Sequence, residues 1–355
     1  MFSRHLRVYP SAKRFVLADI YFRTKLTVQR LHPSANAIPP HGRATMSQHT
    51  TATAGETARR VIDNIGEVIV GNEDSIEHLV VALLGRGHVL LEDVPGVGKT
   101  MLARAVATSF ECEFKRVQFT PDLLPADITG VNVFDQADQT FEFRPGPVFA
   151  NVVLGDEINR APPKTQAALL EAMEERQVTA DGTTRKLPEP FFVIATQNSV
   201  ERDRTYELPA AELDRFAVKL SLGYPDPEDE TEILGRVVGE HPIETLEPVA
   251  TTEDLTAAQT TTSEVAVSEE VRDYVTRLAG YTRENAQLGV SPRGSVALLQ
   301  VAQGRAVLND RDYVLPDDIQ QETRPVFTHR IRVGRGEGDP EDVVASALDA
   351  VPVER

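Results

Sequence analysis

The chain has 355 residues, of which 41% are apolar and 26% charged, a composition typical of a soluble globular protein with a hydrophobic core. No segment approaches the 18 or more uncharged apolar residues that a membrane helix needs, so we expect a cytoplasmic protein without membrane insertion. The single cysteine, Cys112, excludes an intramolecular disulfide and a cysteine-based zinc cluster. We expect its thiol to be buried and inert.

The net charge of -17 is unevenly distributed along the chain. Residues 1–45 contain eight Lys or Arg and a single acid, Asp19, so the rest of the chain is even more acidic than the total suggests. A strongly acidic, lysine-poor surface is typical of halophilic proteins, which is our hypothesis about habitat. The same acidity predicts no nucleic-acid partner, because phosphate binding needs a basic surface.

Residues 1–45 are basic, contain isolated Pro and Ser, and show no sustained periodicity, so we expect disorder there. Two explanations remain open. The segment is a targeting sequence, or the start codon lies too far upstream and the true start is Met46. The abrupt change in charge balance at Met46 favours the second explanation.

From residue 57 to residue 224 the pattern alternates between helix and strand. Predicted helices cover 57–70, 76–84, 100–109 and 163–176, predicted strands cover 88–91, 152–154 and 191–195, and predicted hairpins cover 131–143 and 177–188. Strands that alternate with helices predict an α/β fold with a doubly wound parallel sheet.

After residue 224 the strand signal almost disappears. We predict a smaller all-helical domain over 225–333, with an acidic Thr-rich loop at 247–263, followed by an acidic C-terminal tail over 334–355. The hinge between the two domains is predicted near 223–225, where Gly and Pro occur close together.

A glycine-containing loop follows the first predicted strand and precedes a helix, which is the context that a phosphate-binding loop requires. Gly98, Lys99 and Thr100 match the end of the Walker A pattern, and Gly96 lets the backbone approach phosphate oxygens. Lys99 would contact the β- and γ-phosphates of ATP, and the Thr100 hydroxyl would ligate Mg²⁺. The pattern expects glycine where this chain has Asp93. The predicted nucleotide-binding residues are Pro95, Gly96, Val97, Gly98, Lys99, Thr100 and Met101.

Two acids, Asp156 and Glu157, end the apolar strand 152–154. Adjacent acids after a buried strand are costly unless they act at its exposed carboxyl end. We predict that Asp156 holds Mg²⁺ and that Glu157 orients and deprotonates the attacking water. Asn198 follows the next strand, where it either meets the γ-phosphate or simply forms a turn, and the residues alone leave both readings open.

These segments together resemble the MoxR family of AAA+ ATPases from about residue 57 to about residue 333. The resemblance rests on residues 90–100 (LLEDVPGVGKT), 156–166 (DEINRAPPKTQ), 195–198 (ATQN), 213–216 (LDRF) and 291–293 (SPR). The run that begins at Asp156 is the most specific of these motifs, and Asp93 is acceptable within this family.

The resemblance implies further catalytic residues. Asn198 corresponds to the sensor 1 amide that positions the hydrolytic water. Arg215 resembles the arginine finger offered to a neighbouring subunit, with Arg160 as its rival, and Arg293 resembles sensor 2, which reaches from the helical lid to the nucleotide. The departures from the family are Ser199, which stands where Pro usually follows Asn, and Ala210, which replaces a common Glu and bears on one contact between subunits.

The resemblance also implies an assembly and a role. ATP would bind between core and lid, in a hexameric ring that hydrolyses ATP to remodel a protein client, often with a von Willebrand factor A-domain partner. The two hairpins would face the pore or the client.

Two alternatives from other classes remain open. They are a DNA-acting motor, which the acidity argues against, and a slow nucleotide-dependent switch, which Glu157 argues against. A GTPase is disfavoured because no Asn-Lys-x-Asp motif occurs.

Overall fold

The computed structural model describes residues 41–198, 206–238, 241–334, 336 and 338–353. The predicted N-terminal extension lies outside the described residues as far as residue 40, and so does Ser199. The first described helix begins at His41, so the end of the segment expected to be disordered belongs to a helix that continues through Met46.

Five parallel strands form the central sheet, and four others form two hairpins. In chain order the strands are β1 (Val89–Asp93), β2 (Phe114–Gln118), β3 (Gly130–Asp135), β4 (Thr140–Pro145), β5 (Val152–Asp156), β6 (Gln177–Ala180), β7 (Thr183–Lys186), β8 (Phe192–Asn198) and β9 (Val218–Leu220). The sheet order is β2-β5-β8-β1-β9, and every neighbouring pair in it is parallel. The predicted α/β fold with a parallel sheet is therefore confirmed.

Helices cover both faces of the sheet and continue beyond it. They are α1 (His41–Gly66), α2 (Glu73–Leu84), α3 (Lys99–Ser109), α4 (Pro125–Thr129), α5 (Pro163–Glu175), α6 (Ala210–Leu213), α7 (Pro227–Val237), α8 (Pro242–Thr245), α9 (Thr252–Ser263), α10 (Glu269–Glu284), α11 (Pro292–Leu308), α12 (Pro316–Phe327) and α13 (Pro340–Ala350).

Successive side chains of a strand point to opposite faces of the sheet, and both faces of the central strands are buried. Val152 and Leu154 of β5 pack in one hydrophobic cluster with Leu102 of α3. Val153, between them, packs in a second cluster with Leu169 of α5. The continuous apolar strands recognised in the sequence thus form the middle layer of a three-layer arrangement.

Both predicted hairpins are present and contact each other. Strand β3 pairs with β4, and β6 pairs with β7, each antiparallel. Asn132 Nδ2 donates to Asp181 Oδ2 at 2.7 Å, and the guanidinium of Arg185 lies 3.8 Å from the centre of the Phe143 ring. Phe134 and Phe141, a pair nearer the tip of the first hairpin, remain about half exposed or more.

Two predictions about the helical region are wrong. Most of the expected acidic loop at 247–263 is helix α9, which a capping box between Thr251 and Asp254 begins. The expected tail contains helix α13, in which Val343, Val344 and Ala347 are buried. In both segments apolar burial outweighs a polar local sequence, as tertiary packing commonly does.

The helical region packs closely on α2. A Cβ added to Gly304 of α11 would lie 2.4 Å from the carbonyl oxygen of Val81, so only glycine permits this approach. Arg305 of α11 donates through Nε to Glu322 Oε1 at 2.7 Å, and Glu322 is completely buried. Within the described residues, no helix combines the length and the apolar character needed to cross a bilayer.

Candidate functional site

The loop between β1 and α3 is built on two glycines with left-handed backbone conformations. Gly96 has φ 87° and Gly98 has φ 92°, values that side-chain-bearing residues adopt only with strain. Gly98 is also the residue before the first turn of α3, which begins at Lys99. The loop therefore directs backbone N–H groups and the positive end of a helix toward the same space, the arrangement that binds phosphate.

The carboxylate of Asp93, which stands where the general Walker A pattern has glycine, has a structural role. Its buried carboxylate accepts hydrogen bonds from Val94 N at 2.9 Å, Gly223 N at 2.9 Å and Ser221 Oγ at 3.2 Å. It also accepts from Leu222 N. The carboxylate thereby joins the start of the phosphate loop to the segment that leaves β9 toward the helical region. A glycine at this position would leave those donors without an acceptor.

The Lys99 side chain folds back onto its own loop. Its Nζ donates to the carbonyl oxygens of Asp93 at 2.9 Å and Val94 at 3.0 Å. Partial burial lowers the pKa of Lys99, and the nearby carboxylates of Asp93, Asp156 and Glu157 act in the opposite direction. Desolvation therefore outweighs the attraction of these carboxylates, and phosphate oxygens placed beside Nζ would favour its charged form.

Asp156 ends β5 in contact with both neighbouring strands. Its Oδ1 accepts from Thr196 Oγ1 of β8 at 2.6 Å, and its Oδ2 accepts from Arg116 Nε of β2 at 3.1 Å. Thr196 Oγ1 in turn accepts from the backbone N–H of Glu157 at 2.8 Å. The two acids are thus fixed at the carboxyl edge of the sheet by three adjacent strands.

Glu157 leaves the strand in a left-handed conformation, with φ 55° and ψ 50°. Its Oε2 accepts from Gln118 Nε2 at 2.7 Å and from Arg160 Nη1 at 2.7 Å. Both acids are therefore already hydrogen-bonded. In the predicted roles, a metal ion on Asp156 would compete with Arg116, and an attacking water on Glu157 would compete with Gln118 and Arg160.

One cavity of about 210 Å³ collects most of the predicted site. It is lined by Pro95, Gly96, Gly98, Lys99, Thr100, Met101, Asp156, Glu157, Thr196, Gln197 and Asn198. Of the predicted loop residues only Val97 is absent from the lining, since its side chain packs against the hydrophobic core. The structure thus brings the loop, both acids and Asn198 together.

Arg215 and Arg293 do not line this cavity. Arg215 Nη2 lies 3.3 Å from Glu174 Oε2, and Arg293 Nη2 lies 2.5 Å from Glu174 Oε1. Ser291, the residue before α11, donates through Oγ to Asp214 Oδ2 at 2.7 Å, so the start of the helix that carries Arg293 is held at Asp214. The expectation that Arg293 reaches from the lid to a nucleotide held between core and lid of the same chain therefore does not match this arrangement.

The donor set of the cavity fits Mg²⁺ bound together with phosphates. Within the described residues, no group of three or more His, Cys, Asp or Glu forms a metal cluster. The Thr100 hydroxyl and the Asp156 carboxylate are hard oxygen ligands in one cavity, and Mg²⁺ is commonly held by one or two such groups plus substrate phosphates. The guanidinium of Arg116 on Asp156 shows that this position accommodates a positive charge.

Cys112 is partly buried against the core, and burial raises its thiol pKa to about 12. An ionised, reactive form is therefore scarce at neutral pH, in agreement with the expected inert thiol.

Sequence analysis missed four residues that shape the site: Arg116, Gln118, Thr196 and Glu174. The first two flank Val117 on β2, the strand next to the acids, and Thr196 lies two residues before Asn198. The proximity of Arg116 and Gln118 to the acids follows only when β2 is known to pair with β5. Glu174 gave no local signal.

Comparisons with known proteins agree with this geometry. A family model described as "ATPase family associated with various cellular activities (AAA)" matches residues 88–218, and one described as "AAA lid domain" matches residues 278–348. The crystal structure of a "putative ATPase" from Cytophaga hutchinsonii ATCC 33406 superposes with a TM-score of 0.82 at 36% identity, covering 88% of this chain and 99% of that one.

Relatives match over most of their length. The uncharacterized protein YeaC of Bacillus subtilis (strain 168) is 50% identical over 304 residues, which cover 83% of this chain and 95% of that protein. Chaperone MoxR1 of Mycobacterium tuberculosis (strain ATCC 25618 / H37Rv) is 39% identical over 331 residues, covering 89% and 87%. Protein MoxR of Methylorubrum extorquens is 34% identical over 302 residues, covering 78% and 88%. One cavity contains the phosphate loop and the paired acids, and relatives named MoxR match most of the chain. The chain therefore belongs to the MoxR family of AAA+ ATPases.

Proposed function

We propose that this protein binds ATP with Mg²⁺, hydrolyses it to ADP and phosphate, and uses the cycle for chaperone-like remodelling of a protein client. The observation that carries the proposal is the single cavity lined by Lys99, Asp156, Glu157 and Asn198 at the carboxyl edge of a parallel sheet. Ligands of open parallel sheets bind at this edge.

Binding begins with the loop. Backbone N–H groups of residues 96–100 and the positive end of α3 hold the phosphate oxygens. Lys99 exchanges the carbonyls of Asp93 and Val94 for the β- and γ-phosphates. Thr100 and Asp156 would hold Mg²⁺, which supplies neutralisation of the phosphate charge when bound.

Hydrolysis is in-line attack of water on the γ-phosphate. Glu157, once released by Gln118 and Arg160, accepts the proton of the attacking water, and the Asn198 amide positions that water. Positioning and charge neutralisation supply most of the acceleration in this kind of reaction.

Arg215 and Arg293 are assigned to the neighbouring subunit's nucleotide, in a hexameric ring. This assignment is supported by the absence of both arginines from the residues that line their own chain's cavity, and by the buried Nε of Arg215, which has no hydrogen-bond partner within the described residues. A von Willebrand factor A-domain protein is the proposed partner. The relative named Chaperone MoxR1 supports a client-directed role.

The test is Glu157→Gln, which keeps the shape and the donors around Oε2 but cannot accept a proton. We expect ATP affinity within about threefold of wild type and turnover lower by ~10²–10⁴-fold, the usual contribution of a general base. Fluorescent ATP-analogue titration and phosphate release measure the two quantities, each with and without DNA. Near-normal turnover contradicts the base assignment.

The Glu157→Gln variant should bind ATP without hydrolysing it, and we expect it to retain the client. Affinity-tagged Glu157→Gln protein with ATP is compared with Lys99→Ala protein, which should not bind ATP. A client recovered equally with both variants contradicts ATP-dependent remodelling.

A further inference from the structure

Two arginines from distant parts of the chain meet on one carboxylate. Glu174, near the end of α5, accepts Arg293 on Oε1 at 2.5 Å and contacts Arg215 through Oε2 at 3.3 Å. Arg215 follows α6, whereas Arg293 lies in the first turn of α11. Each carboxylate oxygen therefore faces one guanidinium, and the two cations lie side by side.

The backbone segments that carry these arginines are fastened independently of Glu174. Asp214 accepts from Ser291 Oγ at 2.7 Å and from Arg330 Nε at 2.8 Å. Arg330 is almost completely buried and also donates to the carbonyl oxygen of Phe216. Because this buried cluster already fixes the two segments, the contact with Glu174 adds little to the position of the backbone. It determines where the guanidinium groups point.

The same surface carries polar groups whose bonding is incomplete. A cavity of about 510 Å³ is lined by Glu171, Glu174, Glu212 and Arg215 among others. Within the described residues, Arg215 Nε and Glu212 Oε2 are buried without hydrogen-bond partners. Buried donors and acceptors are nearly always satisfied, so these two atoms are available to water or to a molecule that binds at this face.

We propose that Glu174 is a positioning residue that holds Arg215 and Arg293 as a pair, prepared for the phosphates of ATP bound by the neighbouring subunit. The proposal rests on the assignment of both arginines to that nucleotide. A carboxylate presents two oxygens at nearly the spacing of a phosphate group, so a guanidinium oriented by one is oriented for the other.

The strength of the contact suits this role. All three side chains are partly exposed, at 35% for Glu174, 28% for Arg215 and 48% for Arg293. Ion pairs at such exposure are weak and exchange readily. Glu174 therefore limits the rotamers of two long side chains without competing strongly against a phosphate.

The first test is Glu174→Gln, with Glu174→Ala as a second variant and Glu269→Gln, which replaces an exposed glutamate at the start of α10, as the control. We expect a five- to fiftyfold lower kcat for both Glu174 variants, with ATP-analogue affinity within twofold and an unchanged melting temperature. The control should behave as wild type. Normal kcat in both Glu174 variants overturns the proposal.

Non-additivity distinguishes positioning from a structural role. In protein that already carries Arg215→Ala and Arg293→Ala, Glu174→Gln should cause no further loss of turnover. A further loss of fivefold or more shows that Glu174 acts through something else and overturns the proposal.

Subunit mixing separates this proposal from the one on which it rests. After exchange at high salt, Glu174→Gln protein should gain activity with Lys99→Ala protein, which provides an intact arginine pair, and should gain none with Arg215→Ala protein. If Arg215→Ala gains activity with Lys99→Ala but Glu174→Gln does not, Glu174 is not a positioning residue. If neither mixture gains activity despite demonstrated exchange, the assignment in trans is wrong and this proposal falls with it.

Discussion

The phosphate-loop cavity and the Glu174 surface, by which we mean Glu174, Arg215 and Arg293, contain the two halves of the proposed catalytic machinery, and they are built differently. In the cavity, backbone turns and buried strands fix each group, as the bonds of Asp93 and Asp156 show. At the Glu174 surface, partly exposed side chains contact one another, and Arg215 Nε and Glu212 Oε2 are buried without partners among the described residues. The first site is organised by its backbone, whereas the second, which we propose that a neighbouring subunit completes, is organised by side chains that can move.

Substitution of Lys99 tests the self-contained half and should have the largest effect. Lys99→Ala removes the cation that faces the β- and γ-phosphates, so we expect a loss of ATP affinity on the order of 10²-fold or more and no measurable turnover. Titration with a fluorescent ATP analogue measures the affinity. Unchanged affinity would show that the cavity is not the nucleotide site.

Substitution of Arg215 tests the half that needs a neighbour. Arg215→Ala should slow hydrolysis by up to ~10³-fold while ATP affinity stays nearly constant, because an arginine finger acts mainly in the transition state. Turnover is measured against the mixing ratio with Lys99→Ala protein. If no mixture exceeds its components after exchange, Arg160 becomes the residue to test, although its guanidinium contacts Glu157 of its own chain.

Substitution of Asp93 tests the backbone framework of the cavity and should have a moderate effect. Asp93→Asn keeps the size of the side chain but cannot accept all the bonds from Val94, Ser221, Leu222 and Gly223. We expect the free energy of unfolding to fall by about 1–3 kcal/mol, together with a several-fold loss of ATP affinity. Urea unfolding and analogue titration measure the two changes. Serine substitution of the half-exposed Asp135 at the hairpin tip is the control, for which neither value should change.

Removal of residues 1–45 should have the smallest effect. The first buried side chain of the described residues is Thr51, and the removed segment shares neither the charge nor the periodicity of the core. We expect turnover and melting temperature equal to those of the full chain. A melting temperature lower by several degrees would contradict this expectation.

Much of the fold and most of the self-contained half were readable from the sequence. Apolar strands ending in polar residues, and glycines before a helix, are local patterns that the backbone geometry preserves. The helical region was less readable. Helix α9 is rich in Thr, and it is held by contacts such as Gln259 Nε2 to the carbonyl oxygen of Leu83, 2.8 Å apart but distant in sequence.

The Glu174 surface was not readable for the same reason. Arg215 and Arg293 were singled out by resemblance, but their meeting on Glu174 depends on how α5, α6 and α11 are placed relative to one another. No local pattern encodes such a meeting. Helix α13 was missed because its acidic residues masked the spacing of Val343, Val344 and Ala347.

The bond between Arg116 and Asp156 has a consequence for the order in which ligands load. Arg116 places a positive charge on the oxygen that a metal ion would use, so the protein without nucleotide carries its own counter-ion. If Asp156 and Thr100 hold Mg²⁺ as proposed, free Mg²⁺ would have to displace this guanidinium with only these two protein ligands in return. Mg²⁺ that arrives with ATP would bring phosphate ligands as well. We therefore expect the metal and the nucleotide to bind together, and magnesium alone to leave the bond between Arg116 and Asp156 unchanged.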